Sequence, residues 1–247
     1  IARVLKCGKK INGAIEGERY IVTWGLGHLV TLADPEDYDK KYKEWKIDVL
    51  PMKPAPFKLE VIKQTGKQFA AVKTQIHRKD VNEIIIATDA GREGELVARL
   101  ILEKAGSKKP IKRLWISSVT DKAIREGFAK LKNGHEYDAL YDAAMCRAEA
   151  DWLVGINATR ALTCKYNAQL SCGRVQTPTL AMIAKREEKI RSFIPESYYG
   201  MTAKGQNIML TWQDQKSKSY RSFDKEKMTG LMKKLDGQKA VVEEIKK

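Results

Sequence analysis

Three acidic residues lie close together in the segment IIIATDAGREGE, which covers residues 84–95. Asp89, Glu93 and Glu95 follow the β-branched run at 84–86, which predicts a short strand buried on both faces, and a helical spacing of apolar residues comes next. Ligands of open α/β sheets bind at the carboxyl ends of the strands. Mg²⁺ takes oxygen ligands, usually one or two carboxylates completed by water and phosphate. These residues therefore predict a magnesium site.

The same acids admit a second interpretation. Acidic side chains are favoured in the first turn of any helix, where they complement the helix dipole, so Glu93 and Glu95 could be ordinary helix-terminal residues and Asp89 a cap. Gly91 and Gly94 favour the ligand site, because glycine lets the backbone approach a ligand closely. The residue types alone leave both interpretations open.

A second group of polar residues lies further along the chain. Arg147 and Asp151 are four residues apart on one predicted helix and share a face, as a surface ion pair also would. A polar loop then runs into another helix, and a helix N-terminus beside an arginine binds phosphate, although a capped helix start with a solvated arginine has the same pattern. The group consists of Arg147, Asp151, Trp152 and Arg160 on the helix, and Ser171, Cys172, Gly173, Arg174, Val175 and Gln176 in the loop.

The overall charge narrows the class of partner. The 247 residues include 46 Lys and Arg against 31 Asp and Glu, which gives a formal net charge of +15. Such an excess points to a polyanion, most often nucleic acid. An anionic membrane is the competing partner, but the sequence has no apolar run of about 18 residues and no signal peptide. A basic soluble protein without such a partner is the remaining alternative.

The cysteines and histidines support neither a zinc site nor a disulfide framework. No two of the four cysteines have C-x-x-C spacing, and the three histidines are scattered. We therefore predict a reducing, cytoplasmic compartment in which each cysteine is a small buried hydrophobe. The residues are Cys7, Cys146, Cys164 and Cys172, and His28, His77 and His135.

Strands alternate with helices in the first half of the chain, which predicts an α/β sheet. Residues 34–58 carry four prolines and interrupt this pattern as an irregular excursion. Thr120 is the expected N-cap of a helix that starts at Asp121. The predicted strands are residues 20–24, 84–88 and 113–116, and the predicted helices are residues 1–5, 67–79 and 93–105.

The pattern changes twice along the chain and predicts three domains. Residues 1–133 form the α/β domain, and residues 134–195 form a mainly helical domain with helices over 137–162 and 175–190. Residues 196–247 have a β-like and basic pattern that suits the start of a β-rich domain. Neither end of the sequence resembles a natural terminus, so we expect a piece of a longer protein.

Taken together, these segments resemble the type IA DNA topoisomerases, in particular their bacterial topoisomerase III branch. Residues 89–95 resemble the acidic cluster of the family's toprim domain. Residues 171–176 resemble its S-x-G-R-V-Q segment, which lines the DNA groove, and Arg147 with residues 151–155 matches a helix that contacts the strand to be cut. The resemblance runs continuously over residues 1–195 and more weakly to the end, and three matches in the same order are highly specific.

The resemblance implies a toprim domain with a mostly parallel sheet and helices on both faces, with its first strand missing here. It also implies a Mg²⁺-dependent reaction in which a tyrosine breaks one DNA strand, is linked to the 5′ phosphate and later reseals the nick. Mg²⁺ and nearby cationic side chains would stabilise the phosphoryl charge. Single-stranded DNA would follow a basic groove in which aromatic side chains stack on bases.

The resemblance also assigns roles to residues. Asp89 and Glu93 are the expected metal ligands, and Arg92 and Glu95 act beside them, towards phosphate or behind the ligands, so that Glu93, Arg92 and Glu95 are the catalytic residues of this chain. The residues expected to face DNA are Trp45, Arg147, Asp151, Trp152, Arg160, Ser171, Cys172, Gly173, Arg174, Val175 and Gln176. Trp45 and Arg160 are the two of these that could equally be structural.

The sequence departs from the family pattern in three places. Gly91 stands where many members have a second Asp, which calls tight metal binding, or binding of a second metal, into question. The family's toprim glutamate precedes the part seen here, and none of the nine tyrosines lies in the P-R-T-D-S context of the catalytic one. We therefore expect this chain to bind single-stranded DNA weakly, with steep salt dependence, and not to relax DNA by itself.

Two other functions remain open. Another toprim enzyme, such as a primase or a nuclease, would share the acids but not the loop at 171–176. A non-enzymatic nucleic-acid-binding module would carry the acids only as helix caps.

Overall fold

The computed structural model describes residues 1–205, 208–239 and 241, and the chain forms two compact units, Ile1–Leu180 and Ala181–Lys247. The predicted division into three domains is finer than this and stays a prediction. Within the first unit, residues of the predicted helical domain, among them Ala144, pack into the core of the α/β part.

Short strands of the first unit form three separate sheets. The first is an antiparallel meander of β1 (Lys9–Ile11), β2 (Ala14–Glu16) and β3 (Ile21–Thr23). Gly13 lies in the tight β1–β2 turn with φ 63°, a left-handed conformation that glycine adopts without strain.

The second sheet pairs β4 (Val30–Leu32) with β5 (Leu59–Val61), which are antiparallel. The excursion between them contains the short helix α1 (Pro35–Tyr38) and the 3₁₀ turns Lys40–Lys43 and Ile47–Val49, so it is irregular, as predicted.

The third sheet is mixed. β6 (Ile84–Ile86) pairs in parallel with β7 (Ile111–Arg113), and β7 pairs antiparallel with β8 (Lys132–Asn133). The expectation of a mostly parallel sheet is therefore wrong, because β6–β7 is the one parallel pair among the described strands. The turns β1–β2 and β2–β3 are too short for the crossover that a parallel pair needs, whereas β4–β5 and β7–β8 are antiparallel despite long connections.

Helices cover the sheets and supply most of the core. α3 is amphipathic because its apolar residues recur at helical spacing, and it packs against α5, α2 and the β4–β5 pair. The α-helices after α1 are α2 (Gly66–Ile76), α3 (Arg92–Ala105), α4 (Asp121–Ala129), α5 (Asp138–Tyr166), α6 (Gln176–Arg191) and α7 (Lys225–Leu235). No helix of the described residues is both long enough and apolar enough to cross a membrane.

Several predicted elements are confirmed and others are corrected. The Thr120 side chain accepts a hydrogen bond from the amide of Ala123, so Thr120 is the N-cap of α4. The strand predicted at 113–116 lies earlier in the sequence, because residues 111–113 are in register with β6. The first residues form turns rather than a helix, and the chain turns away at Lys6, where φ is 56°. Cys146 is exposed on α5, so not every cysteine is buried.

The second unit contains a β-hairpin and a helix. β9 (Thr202–Lys204) and β10 (Met209–Thr211) pair antiparallel, as the β-like pattern predicted, and α7 follows. Residues 240 and 242, part of a strand-like run in the sequence, lie outside the described residues.

Candidate metal site and nucleic-acid interface

One predicted metal ligand, Asp89, lies on the loop between β6 and α3, which covers residues 87–91, and the other, Glu93, lies in the first turn of α3. The side chains of Asp89 and Glu93 are exposed at the carboxyl end of β6. Gly91 is the N-cap of α3 and no side chain caps this helix, so Asp89 is not a helix cap. The alternative interpretation, in which the acids are ordinary helix-terminal residues, therefore does not hold for Asp89.

The loop lies directly against the first turn of α3. A Cβ placed on Gly94 would lie 2.1 Å from the carbonyl oxygen of Asp89, so this position requires glycine as long as the loop keeps its course. On the same turn, the Thr88 hydroxyl donates a hydrogen bond of 2.7 Å to the carbonyl oxygen of Gly94. Glycine at position 94 therefore serves close packing of backbone against backbone.

A fully buried arginine holds the loop from the other side. Nη1 of Arg113 donates to the carbonyl oxygens of Ile86 and Thr88, at 3.1 and 2.9 Å, and Nη2 donates to that of Asp89 at 2.6 Å. Burial lowers the pKa of Arg113, and the adjacent Glu95 carboxylate opposes that shift. This role was not apparent from the sequence, because Arg113 lies on a different strand and is far from the acidic segment along the chain.

Glu95 is also fully buried, and both of its carboxylate oxygens are used. Oε2 accepts a hydrogen bond from Nε of Arg113 at 2.8 Å, and Oε1 accepts one from Nε of Arg99 at 2.9 Å. Arg99 continues to the carbonyl oxygen of Gly134 and to Asp138, the first residue of α5. The expectation that Glu95 could act directly on phosphate is corrected, since its carboxylate is shielded from solvent and occupied by two guanidinium groups.

His28, on the loop after β3, contacts one of the predicted metal ligands. Its Nε2 lies 2.5 Å from Oε1 of Glu93. The sequence places these residues 65 positions apart, so the histidines seemed unrelated to the acids. The fold brings them together because β4 packs beside α3.

The residues present suit Mg²⁺ held jointly with a phosphate group. Asp89 and Glu93 provide two exposed carboxylates, whereas no group of three or more His, Cys, Asp or Glu side chains suited to a metal occurs among the described residues. Two carboxylates completed by water and phosphate oxygens are an ordinary coordination of Mg²⁺. Arg92 is exposed at the start of α3, beside these acids.

A second surface forms where α5 meets the loop at 167–175. Nη1 of Arg174 lies 2.7 Å from Oδ1 of Asp151, and Nε of Arg147 lies 3.7 Å from Oδ2 of the same carboxylate. All three side chains are about half exposed. The fold therefore brings together the two segments that the sequence analysis had grouped.

Threonine hydroxyls hold this loop along α5. Oγ1 of Thr159 accepts a hydrogen bond from the amide of Cys172 and donates one to its carbonyl oxygen, and Thr163 does the same with Leu170. Neither threonine was expected from the sequence to have this role, although their spacing of four residues marks one face of a helix. Asp151, Thr159 and Thr163 form a row on α5 that we call the loop row.

The other predicted members of the loop differ in exposure. The side chains of Ser171, Arg174, Val175 and Gln176 are exposed, and Cys172 and Gly173 are partly buried. The backbone amide of Gly173 donates to the Thr177 hydroxyl in the first turn of α6.

A different row on α5 anchors the excursion at 33–58. Trp152 is buried, its Nε1 donates to the carbonyl oxygen of Ala33, and its ring contacts those of Tyr38 and Phe57 edge to face. The side chain of Asn157 accepts a hydrogen bond from the backbone amide of Met52 and donates one to its carbonyl oxygen.

Arg160 is buried next to them and donates to the carbonyl oxygen of Tyr42. We call Trp152, Asn157 and Arg160 the anchor row. The expectation that Trp152 and Arg160 face DNA is corrected, because both side chains are buried and donate to the excursion. Trp45 is about half exposed, and the Arg160 guanidinium lies 5.0 Å from its ring centre.

Two known protein families match successive parts of the chain. The Toprim domain family matches residues 6–119, and the family described as DNA topoisomerase matches residues 135–247. Together the two matches take up most of the chain, which is similar to Toprim domains in its first part and to the DNA topoisomerase family in its second.

The chain is also similar to individual bacterial proteins described as DNA topoisomerase 3. It is 67% identical over 247 residues to DNA topoisomerase 3 of Bacillus subtilis strain 168 and 64% identical over 247 residues to that of Bacillus licheniformis. Each match covers 100% of this chain and 34% of the relative, so the chain spans about a third of their length.

A solved structure of full-length topoisomerase I from Thermotoga maritima has the same fold. It matches with a TM-score of 0.58 over 84% of this chain and 32% of that one, at 23% sequence identity.

Proposed function

We propose that this chain is the metal-binding and strand-binding part of a Mg²⁺-dependent type IA topoisomerase, which breaks and rejoins one DNA strand through a 5′-phosphotyrosine. The observation that carries the proposal is the pair of exposed carboxylates at the carboxyl end of β6: Asp89 lies on a loop that a buried arginine fixes, and Glu93 follows in the first turn of α3. The names of the relatives support the same reaction.

At the acidic loop, Asp89 and Glu93 would hold Mg²⁺, and His28 orients the Glu93 carboxylate through its hydrogen bond. Bound Mg²⁺ would supply positive charge that stabilises the phosphoryl group in the transition state. Arg92 is exposed beside the acids and would contact the same phosphate, as arginine suits a phosphate group in both charge and geometry. Glu95 acts through Arg113 and stays out of contact with the reacting atoms.

On the second surface, we propose that single-stranded DNA binds along the loop row. Arg147 and Arg174 would contact phosphates, and Gln176 and Ser171 would hydrogen bond to the strand from the loop. Exposed Trp45 offers a ring on which a base can stack. Asp151 holds the two arginines in place while DNA is absent.

The strand-binding proposal is tested by fluorescence anisotropy with a labelled single-stranded oligonucleotide at several salt concentrations. We expect Arg174→Ala to weaken binding about fivefold and to reduce the slope of log K against log salt by about one, as for loss of one phosphate contact. Arg125→Ala removes an exposed arginine of α4 and serves as the control, with a change of less than about twofold. Equal effects of both substitutions would refute a defined DNA surface at the loop.

We further propose that this chain alone does not relax supercoiled plasmid in the presence of Mg²⁺, because none of its tyrosines has the sequence context of the catalytic residue. Relaxation by the isolated polypeptide would contradict this. Primer synthesis or nicking would instead favour another toprim enzyme. The four free cysteines suit a cytoplasmic setting, which we also propose.

A further inference from the structure

We propose that Arg113 is a positioning residue that fixes the backbone of Asp89 and so orients the two carboxylates of the metal site. The inference rests on the proposed function, since it takes Asp89 and Glu93 as the Mg²⁺ ligands. It concerns a residue that lies 24 positions from Asp89 in the sequence, on a different strand.

The contacts of Arg113 follow the path of the acidic loop. Its guanidinium bonds the carbonyl oxygen of Ile86 at the end of β6, then that of Thr88, and then that of Asp89 itself. Three donor contacts along four residues fix the course of the backbone that carries the Asp89 side chain. The guanidinium is fully buried, so water does not compete for these carbonyl oxygens.

The Asp89 carbonyl group is held from both sides. Nη2 of Arg113 donates to its oxygen at 2.6 Å, and the backbone of Gly94 leaves no room for a Cβ on the other side. Glu93 is the residue before Gly94. The close contact between Gly94 and the Asp89 carbonyl group therefore also fixes the backbone of Asp89 relative to that of Glu93. The spacing of the two ligands is therefore set by the backbone before any metal binds.

Glu95 makes this arrangement possible and provides a control. Its carboxylate balances the buried charge of Arg113, and it accepts an equivalent hydrogen bond from Arg99. Arg99 reaches Gly134 and Asp138 and makes no hydrogen bond to the loop at 87–91 in the described part of the chain. Arg113 and Arg99 thus share one carboxylate, but only Arg113 contacts the backbone of a metal ligand.

The experiment measures binding of Mn²⁺, as a probe for Mg²⁺, by electron paramagnetic resonance of the free ion, without DNA and without a measurement of activity. Arg113→Lys keeps a positive charge near Glu95 but loses the planar set of donors that reaches three carbonyl oxygens. We expect Mn²⁺ affinity to fall about tenfold, as for other residues that orient metal ligands. Arg99→Lys should change it less than about twofold, with circular dichroism confirming that each variant is folded.

Asp89→Asn separates this inference from the proposed function. If Asp89→Asn weakens Mn²⁺ binding and Arg113→Lys does not, Arg113 has no positioning role and the metal site stands. If Asp89→Asn has no effect, the metal site and the inference both fall. An equal loss in Arg99→Lys would also overturn the inference, because it would trace the effect to the shared ion pair.

Gly94→Ala is a second variant, used should Arg113→Lys fail to fold. It displaces the same Asp89 carbonyl group while leaving the Arg113–Glu95 pair in place. We expect about a tenfold loss of Mn²⁺ affinity here as well. Unchanged affinity in folded Gly94→Ala would show that the course of the loop does not determine metal binding, and the inference would be wrong.

Discussion

Two carboxylates of this molecule each bridge a pair of arginines, one in the interior and one on the surface. Glu95 lies between Arg99 and Arg113 with no exposed side-chain surface. Asp151 lies between Arg147 and Arg174 with 46% of its side chain exposed. The residue types are the same, and the distances from the carboxylate to the guanidinium groups are 2.8 and 2.9 Å at the first site and 2.7 and 3.7 Å at the second.

The difference shows how one kind of contact can serve opposite purposes. In the interior, both carboxylate oxygens accept hydrogen bonds and the charges are shielded from salt, so the group holds the acidic loop in one course. On the surface, solvent and ions compete with the pair, so the arginines can exchange a carboxylate for a phosphate at little cost. A metal site needs the first property, and a surface that binds and releases a DNA strand needs the second.

The largest expected effect is on stability. Glu95→Ala leaves the fully buried Arg113 without its carboxylate partner, while Arg99 keeps Asp138, and should lower the free energy of unfolding by about 3–5 kcal/mol. Asp151→Ala removes an exposed pair and should cost no more than about 1 kcal/mol. Urea unfolding followed by circular dichroism measures both values, and similar losses for the two variants would refute the contrast between the sites.

A smaller effect is expected at the Thr159 hydroxyl, which holds the loop at 167–175 where we propose that DNA binds. Thr159→Val keeps the shape of the side chain but removes both hydrogen bonds to Cys172. The free energy of unfolding should fall by about 1–2 kcal/mol. Single-stranded DNA affinity should fall about threefold, since Arg174 is two residues further on. Thr74→Val is the control: its hydroxyl bonds only the carbonyl oxygen of Ala70 within α2, so DNA affinity should not change. Anisotropy titrations that give the same affinity for Thr159→Val as for the unmodified protein would contradict this role.

Substitution of Asp151 in the surface ion pair should raise the affinity for single-stranded DNA, whereas Thr159→Val should lower it. Asp151→Asn removes the charge that competes with phosphate for two arginines, so single-stranded DNA affinity should rise about threefold at low salt and converge with the unmodified protein at high salt. Glu149→Gln makes the same change of charge at a residue that forms no ion pair in the described part of the chain, and should have less effect. Weaker binding by Asp151→Asn would indicate that Asp151 itself contacts the strand.

Asp214, in the second unit, is a third carboxylate, and it accepts hydrogen bonds mainly from neutral groups. Hydrogen bonds from the backbone and hydroxyl of Ser217, then from Lys227, lower the pKa of Asp214 to about 2. Because the folded-state pKa lies below the ordinary value of about 3.9, Asp214 stabilises its loop above about pH 4, and this contribution is lost as the pH falls towards 2. Carboxyl NMR titration should give a midpoint near 2, and a midpoint near 4 would refute it.

The elements that sequence analysis located were those set by local patterns. The isoleucine run of β6, the helical spacing of α3 and the threonine that caps α4 depend on nearest neighbours along the chain, and the structure confirms them. The prediction of a mostly parallel sheet was wrong because the sequence of a three-residue strand does not determine which strand it pairs with.

Within the candidate site, too, the residues that could be predicted were those close together in the sequence. Asp89 and Glu93 were found because acids and glycines are adjacent in the sequence. Arg113 and His28 were missed because each reaches the site from another strand or loop, and their spacing from the acids carries no signal. Trp152 and Arg160 were assigned to DNA by the family resemblance, whereas the excursion that covers them is visible only in the fold.

The two rows on α5 have a consequence for how this sequence can change in length. Successive helical residues are rotated by about 100°, so one residue inserted between Asp151 and Thr159 would turn the rest of the helix by that angle. Thr159 and Thr163 would leave the loop that they hold, and Arg160 would leave the excursion. Substitutions within this stretch can be tolerated one at a time, but we expect natural relatives to show no single-residue insertions or deletions there.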